Sequence, residues 1–204
     1  MCSVSPVTIL SDSEMLGELG DLFTYSEALD AGLTRWRLYA LRDDGVIVGL
    51  GGGLYRRADA APADVDLIEI AERVPRAILC LETALARHDL LDVIPPATDI
   101  AIPRGANRPK LTAVHRLHHF DVATFDIGRD TIDVGARTPL GIYSAERSII
   151  DVVRIRHEQG SDQAWEALRR WLERPGRNPA QLIVMARQFR GAEVPLRAAL
   201  EVLL

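Results

Sequence analysis

Residues 46–57 read VIVGLGGGLYRR: a short apolar run, a cluster of glycines, and a second β-prone pair that ends in two arginines. A glycine cluster after a strand can form a phosphate-binding loop when a helix begins directly after it and points its N–H groups at the phosphate. Here Leu54 and Tyr55 are β-prone, and Pro62 follows before a helix could form. Two β-prone runs around glycines predict a β-hairpin instead, because glycine supplies the positive φ of the turn.

The segment before this hairpin predicts three short helices. Residues 12–22 carry apolar side chains at helical spacing. Ser26 is expected to cap a second helix that ends at Gly32, and Thr34 to cap a third that runs to Gly45. Two short helices joined by a glycine-containing turn have the spacing of a helix-turn-helix. With the hairpin after them, they predict a winged helix-turn-helix whose wing tip is the glycine cluster.

The third helix is expected to present a basic and aromatic surface. Leu38 and Leu41 lie about 60° apart around the helix and are expected to face the core. The residues turned outward or to the flanks are then Arg35, Trp36, Arg37, Tyr39 and Ala40. Residues 33–58 carry five arginines, which include Arg42, Arg56 and Arg57, against two aspartates. This local positive charge favours a nucleic-acid partner. The alternative is a solvated amphipathic helix with no partner.

The composition of the whole chain sets limits on its class. Its 204 residues, 48% hydrophobic and 26% charged, indicate a globular protein of one or two domains. The sequence has no apolar stretch long enough to span a bilayer, and its N-terminus lacks the pattern of a secretion signal, so a cytoplasmic location is expected. Cys2 and Cys80 are too few for a disulfide framework or a zinc site. The net charge of −5 argues against general nucleic-acid binding by the whole surface.

The second region is predicted to be an α+β domain. Residues 57–66, rich in Ala, Pro and Asp, indicate a linker, and we place the domains at 1–58 and 59–204. Helices are expected over 66–75 and 77–90. Five short β-branched runs predict a small sheet, at 98–103, 111–117, 122–128, 130–135 and 140–144. A helical C-terminal end follows, with helices beginning after Ser144, at 161–176, at 178–189 with Asn178 as the cap, and at 193–204.

The candidate catalytic and metal-binding patterns are incomplete. His115 and His119 share one face of a strand while His118 opposes them, and ligands at metal spacing are missing beside them. Glu82, Asp99 and Lys110 lack the shared strand that a nuclease-like arrangement needs, so surface charge is the better interpretation. Ser144 is expected to cap a helix, because no glycine elbow surrounds it as in a hydrolase. We expect no catalytic activity, no metal and no cofactor.

An ordered set of segments resembles the AbiEi-type antitoxins of type IV toxin–antitoxin systems, including the MenA class. These segments are GLTRWRLYALRDDGVIVGLGGGLYRR (32–57), PRAILCLETALARHDL (75–90), IAIPRGANRP (100–109), GIYSAERSIIDVVRIRHEQG (141–160) and LEVLL (200–204). The resemblance implies an N-terminal winged helix that represses its own operon by binding operator DNA. It also implies a C-terminal domain that counteracts a cognate nucleotidyltransferase toxin. The family's DNA-contacting positions correspond to Thr34, Arg35, Trp36, Arg37, Tyr39 and the wing arginines Arg56 and Arg57.

The expected toxin-binding surface lies on the C-terminal helices. Their apolar stripes and polar rims suit a mixed interface, with Arg169, Arg170, Glu173 and Arg187 as candidate contacts. Two alternatives stay open at this point. The chain could be a transcriptional repressor whose second domain binds a small effector, or a metal-dependent hydrolase or nuclease built on that domain.

Overall fold

The computed structural model describes residues 12–156 and 161–204. Residues 1–11, where the sequence predicts no secretion signal, and 157–160 lie outside this description. Within the described residues the protein is of mixed α+β class, with nine α-helices and two small sheets. The chain divides into two compact units, one that ends at Glu69 and one that runs from Ile70 to Leu204.

The first unit contains three helices and a three-stranded antiparallel sheet. In chain order its elements are α1 (Asp12–Leu19), β1 (Leu22–Thr24), α2 (Tyr25–Asp30), α3 (Arg35–Asp43), β2 (Ile47–Gly49) and β3 (Leu54–Arg57). The order of strands in the sheet is β1-β3-β2, with β3 in the centre. Its core includes Phe23, Leu38, Leu41, Ile47 and Tyr55. The prediction that Leu38 and Leu41 face the core is therefore confirmed.

Local capping signals decide where α2 and α3 begin. The Thr34 hydroxyl accepts a hydrogen bond from the Arg37 N–H at 3.2 Å, which confirms Thr34 as the cap of α3. The prediction that Ser26 caps α2 is wrong, because Thr24 does so. Thr24 Oγ1 accepts from the Glu27 N–H, and the Glu27 carboxylate accepts from the Thr24 N–H at 2.6 Å. This reciprocal pair is a capping box, which satisfies two otherwise unpaired N–H groups at the helix start.

The first helix is shorter than the predicted 12–22. It stops at Leu19, and Gly20 then adopts a left-handed conformation with φ of +74°. Residues 22–24 pair with β3 instead, in a register that aligns Leu22 with Arg56 and Thr24 with Leu54. The strand β1 is therefore a feature that the sequence pattern did not predict.

The predicted hairpin is confirmed, with three glycines at its turn. Gly51, Gly52 and Gly53 have φ values of +87°, +57° and +80°, a left-handed run that other residues rarely adopt. The Leu54 N–H donates to the Gly51 carbonyl at 3.0 Å, and the Leu50 N–H donates to the Leu54 carbonyl at 2.9 Å. These bonds close the turn and bring β2 and β3 into register.

The second unit is a five-stranded mixed sheet with helices. Its strands are β4 (Ile78–Leu79), β5 (Thr98–Pro103), β6 (His115–Phe120), β7 (Arg129–Ile132) and β8 (Leu140–Tyr143), in the order β6-β5-β4-β8-β7. Its helices are α5 (Leu81–Arg87), α6 (Ala145–Arg154), α7 (Ser161–Leu172), α8 (Pro179–Ala186) and α9 (Glu193–Leu203). One further helix, α4 (Val65–Arg73), contains the division between the units, which therefore falls later than the predicted boundary after Ala58.

Most of the predicted sheet is present, with two differences. The strand at 98–103 is confirmed, the one at 140–144 is β8, and those at 111–117 and 130–135 are shifted to β6 and β7. The predicted strand at 122–128 is wrong. Residues Val122–Thr124 form a short 3-10 helix, because the Asp121 carboxylate accepts the Ala123 N–H at 2.9 Å and caps it. The predicted helix at 77–90 begins only at Leu81, since Ile78 and Leu79 pair with β5 and β8.

The helix α6 lies at the centre of the second unit. Every residue from Arg147 to Val153 is buried, and the core around it joins α5, α7, α8 and α9 to the sheet. Ser144 caps α6 by accepting the Arg147 N–H at 3.2 Å, and Asn178 caps α8 by accepting the Gln181 N–H at 3.1 Å, as predicted. Among the described residues, none of the helices has the length and apolar character needed to cross a membrane.

Candidate functional site

A basic and aromatic surface covers one side of α3. We define the α3 surface as Arg35, Trp36, Tyr39 and Arg42. The Tyr39 ring lies between two guanidinium groups, with the Arg35 and Arg42 Cζ atoms 5.4 Å and 5.0 Å from its centroid. This arrangement follows from the helix, since residues three and four positions apart lie on the same side. Trp36 is 76% exposed beside them. The structure therefore brings together four of the predicted DNA-binding residues.

Two of the predicted basic residues are paired with aspartates. Arg42 donates to Asp43 from Nε at 3.0 Å and from Nη2 at 2.8 Å. Arg57 donates to Asp59 from Nε at 2.9 Å and from Nη2 at 2.6 Å. The hydrogen bonds from Arg57 lower the pKa of the Asp59 carboxyl below its ordinary value, so the pair stays charged to a lower pH than a free aspartate would. The positive charge of the segment is therefore partly neutralised in the protein alone.

The remaining predicted DNA-binding residues lie in other places. Arg37 is on the opposite flank of α3, where it lines a groove with Arg57, Asp59 and Asp44. Arg56 is aligned with Leu22 and Val48, whereas Arg57 is aligned with Ile47. Because side chains alternate along a strand, Arg56 and Arg57 project from opposite faces of the sheet. Arg56 donates a hydrogen bond to the Ala61 carbonyl.

The turn of the hairpin lies next to the start of α2. The Tyr25 N–H donates to the Gly53 carbonyl at 2.7 Å. A Cβ atom on Gly53 would lie 3.5 Å from the Tyr25 Cβ, an ordinary contact, but its φ of +80° disfavours any other residue. The glycine turn is therefore held by the first unit itself.

Three of the four predicted toxin-binding residues line one polar cleft. Arg169, Arg170 and Glu173 are there, together with the acidic residues Asp89, Asp92 and Glu166. Arg170 donates to Glu166 at 2.6 Å and to Asp92 at 2.8 Å, and the bond from Arg170 lowers the pKa of the Asp92 carboxyl. Arg187 lies elsewhere and donates to Glu193 at 3.1 Å, which also accepts from Arg197. The predicted set is thus divided between two surfaces.

A charged network around Asp99 was not predicted. The interpretation of Asp99 and Glu82 as surface charge is wrong, whereas Lys110 is exposed as expected. Asp99 is fully buried, and its two oxygens lie 2.9 Å from Arg116 Nη2 and from His118 Nε2. Arg116 also donates to Glu82 at 2.7 Å. The sequence feature that could have indicated this network is an acidic residue inside an otherwise apolar strand. Such a residue needs polar partners when it is buried.

The histidine cluster is divided between the two faces of β6, as its alternation predicted. His118 contacts Asp99, and His115 Nδ1 lies 2.8 Å from the Ala113 carbonyl oxygen. In the parts of the chain that the structure describes, no three His, Cys, Asp or Glu side chains are grouped so that they could hold a metal ion.

A second unpredicted network lies on α6. Arg147 is fully buried, and it donates to Asp151 at 2.9 Å and to the carbonyls of Thr124 and Ile127 at 2.7 and 2.6 Å. Its guanidinium lies 4.0 Å from the centroid of the Tyr143 ring. Burial raises the pKa of the Asp151 carboxyl, and the charge of Arg147 opposes that effect. These contacts tie α6 to the loop before β7, so we assign Arg147 a structural role.

Comparison with known proteins gives information about the fold of the chain. No protein-family model and no curated protein matches the chain. Among solved structures, the chain is similar to the Rv2827c protein from Mycobacterium tuberculosis, with 18% sequence identity and a TM-score of 0.53. The similarity covers 89% of this chain and 76% of that one. At this level of identity it shows a shared α+β architecture over most of the chain.

Proposed function

We propose that the chain is a DNA-binding antitoxin that represses its own operon and neutralises a nucleotidyltransferase toxin. The DNA-binding part of this proposal rests on the order of elements in the first unit: helix, strand, helix, helix and hairpin. The strand order is β1-β3-β2, and the last helix carries an exposed basic surface. That order is the one a winged helix-turn-helix requires. The first unit would then bind operator DNA in the cytoplasm.

The α3 surface has the chemistry that a recognition helix needs. In helix-turn-helix proteins the N-terminal residues of the second helix contact base edges in the major groove. Here those residues are Arg35 and Trp36, which follow the cap Thr34 directly. Arginine suits guanine edges or phosphates, and an exposed indole suits the apolar thymine methyl group. The glycine turn of the hairpin would lie near the DNA backbone, where the absence of side chains permits close approach.

The paired arginines limit how strong this binding can be. Arg42 and Arg57 must exchange an aspartate for a phosphate before they contribute to binding. Each phosphate that an arginine neutralises adds to the salt dependence of the affinity. We therefore expect moderate affinity that falls steeply between low and physiological salt.

The second unit would act on the toxin by binding it rather than by catalysis. The resemblance of the sequence segments to AbiEi-type antitoxins supports this assignment, and the polar cleft around Arg169, Arg170 and Glu173 offers contacts for a partner. An enzyme that transfers nucleotides to RNA carries basic surface for phosphates. The acidic side chains of the cleft, among them Asp92 and Glu166, suit such a surface.

The experiment that tests this function compares two double variants in two assays. Arg35→Ala with Arg37→Ala should weaken binding to the DNA upstream of the gene by at least about tenfold in a gel-shift assay, and should leave toxin neutralisation intact. Asp92→Asn with Glu173→Gln removes two acidic charges from the cleft of the second unit and should do the reverse. Wild-type DNA binding by the first variant would contradict the winged-helix assignment. Wild-type growth rescue by the second would contradict the cleft assignment.

A further inference from the structure

An apolar groove runs between α7 and α9. We define the C-terminal groove by Trp165 on α7, by Ala198, Ala199 and Val202 on α9, and by Arg156 and Arg169 at its rim. On α9, Leu196 and Leu200 point into the core, so Ala198 and Val202 are left on the outer side. The two alanines keep the floor low, which allows a helix to approach closely. The groove has a volume of about 480 Å³.

The groove exposes apolar surface that nothing in the described chain covers. Val202 is 84% exposed, and Trp165 and Ala199 are half-buried beside it. A groove lined by adjacent apolar side chains gives a partner a place to bury apolar surface of its own. The polar cleft on the other side of Arg169 is different, because Arg170 there already pairs with Asp92 and Glu166 of the same chain.

The charge of the rim indicates which kind of partner the groove could bind. The two charged residues that line it are both arginines, Arg156 and Arg169. Arg156 donates one hydrogen bond to the Val153 carbonyl at 2.8 Å, and Arg169 lies 3.4 Å from Glu166 while its side chain stays 55% exposed. Neither contact uses all the donors of a guanidinium. An occupant that brings carboxylates to the rim and apolar side chains to the floor would complement both features.

We propose that the C-terminal groove binds an amphipathic helix of the toxin, whose apolar residues lie on Ala198, Ala199 and Val202 and whose acidic residues pair with Arg156 and Arg169. This inference rests on the antitoxin function proposed above and adds the chemistry of the partner. Helices that dock in such grooves present anchors at positions i, i+3 or i+4, and i+7, which is the spacing that would match a groove parallel to α9.

Two valines on α9 provide a matched test of the floor. Val202→Glu places a carboxylate in the groove, whereas Val194→Glu places one at a site on the same helix that is 79% exposed and outside the groove. In pull-down and calorimetry with the full chain and its proposed cognate nucleotidyltransferase, V202E should weaken binding by at least about tenfold. V194E should change it by less than about twofold.

Two arginines provide the matched test of the rim. Arg156→Glu reverses a charge at the groove, and Arg177→Glu reverses one elsewhere; both arginines donate to the carbonyl three residues before them. R156E should weaken toxin binding by about tenfold at low salt and by less at high salt, because salt screens the lost attraction. R177E should leave toxin binding unchanged.

The outcomes separate the two proposals. A wild-type chain that does not bind the nucleotidyltransferase would overturn the antitoxin function and this inference with it. Normal binding by V202E and R156E would overturn the groove alone. Sedimentation of the wild type and of V202E without toxin tests whether a second copy of this chain occupies the groove. If the wild type is a dimer and V202E is a monomer, the proposal that a toxin helix binds there is overturned.

Discussion

Arg42 and Asp43 are bonded to each other at the end of α3, with Nε and Nη2 of the arginine 3.0 and 2.8 Å from one carboxylate oxygen of the aspartate. Both side chains are exposed, so solvent screens the pair and its contribution to stability is small. The pair is expected to weaken DNA binding, because Asp43 competes with DNA phosphate for the guanidinium of Arg42.

We expect Asp43→Asn to strengthen DNA binding by about two- to fivefold at low salt, because it releases Arg42 and removes one negative charge beside the α3 surface. Fluorescence anisotropy with labelled upstream DNA over a salt series measures both the affinity and its salt dependence. Asp30→Asn, which removes the same charge from the end of α2, is the control. Equal effects of the two variants would show that only net charge matters.

Gly128 lies against the fully buried Arg147. A Cβ atom there would be 2.7 Å from the Arg147 Cβ, and the φ of Gly128 is +70°. We expect Gly128→Ala to lower the free energy of unfolding by about 2–4 kcal/mol, since it combines an unfavourable backbone conformation with overlap in a packed core. Urea unfolding, followed by the fluorescence of Trp165 and Trp171 in a Trp36→Phe background, measures the change.

Gly176→Ala is the matched control for this prediction. Gly176 has a similar φ of +77°, and a Cβ atom added to it would meet no atom within 4 Å among the described residues beyond its chain neighbours, so only the backbone cost applies. We expect this variant to be destabilised by about 1 kcal/mol. Equal losses at both positions would mean that Arg147 yields to the added methyl group.

We expect the buried carboxyl group of Asp99 to contribute more to the free energy of unfolding than an exposed carboxylate does. Asp99→Asn replaces the buried carboxyl group that both Arg116 and His118 contact, and we expect it to cost about 1–3 kcal/mol of unfolding free energy. Asp92→Asn removes an exposed partner of Arg170 and should leave the urea midpoint unchanged. A midpoint for Asp99→Asn equal to that of the wild type would show that the network contributes no stability.

Cys80 is expected to be inert in the native protein. It is fully buried in the core of the second unit, and this burial raises the pKa of its thiol well above the usual range, so the reactive thiolate does not form at pH 8. In a Cys2→Ser variant, a disulfide reagent such as DTNB should label Cys80 only after unfolding in guanidinium. Complete labelling of the native protein within minutes would contradict its buried position.

The sequence by itself determined the features whose physical cause is local. Thr34, Ser144 and Asn178 were predicted as helix caps, because a cap depends on a side chain and an N–H group only three residues away. The hairpin at 46–57 was predicted because consecutive glycines in a left-handed conformation make a turn wherever they occur. The Thr24 capping box was equally local, and its Thr-x-x-Glu spacing could have been recognised in place of Ser26.

Only the tertiary structure decided the features that depend on distant partners. The two-residue strand β4 exists because β5 and β8 lie on either side of it, although its sequence suits a helix. The buried carboxyl group of Asp99 has a partner because the parallel register of β5 and β6 places Arg116 beside it. The strand β1 in the first unit likewise forms because β3 pairs with it, although the sequence pattern did not predict it. Local propensity cannot specify these pairings, because the free energy that favours them comes from contacts between residues far apart in the chain.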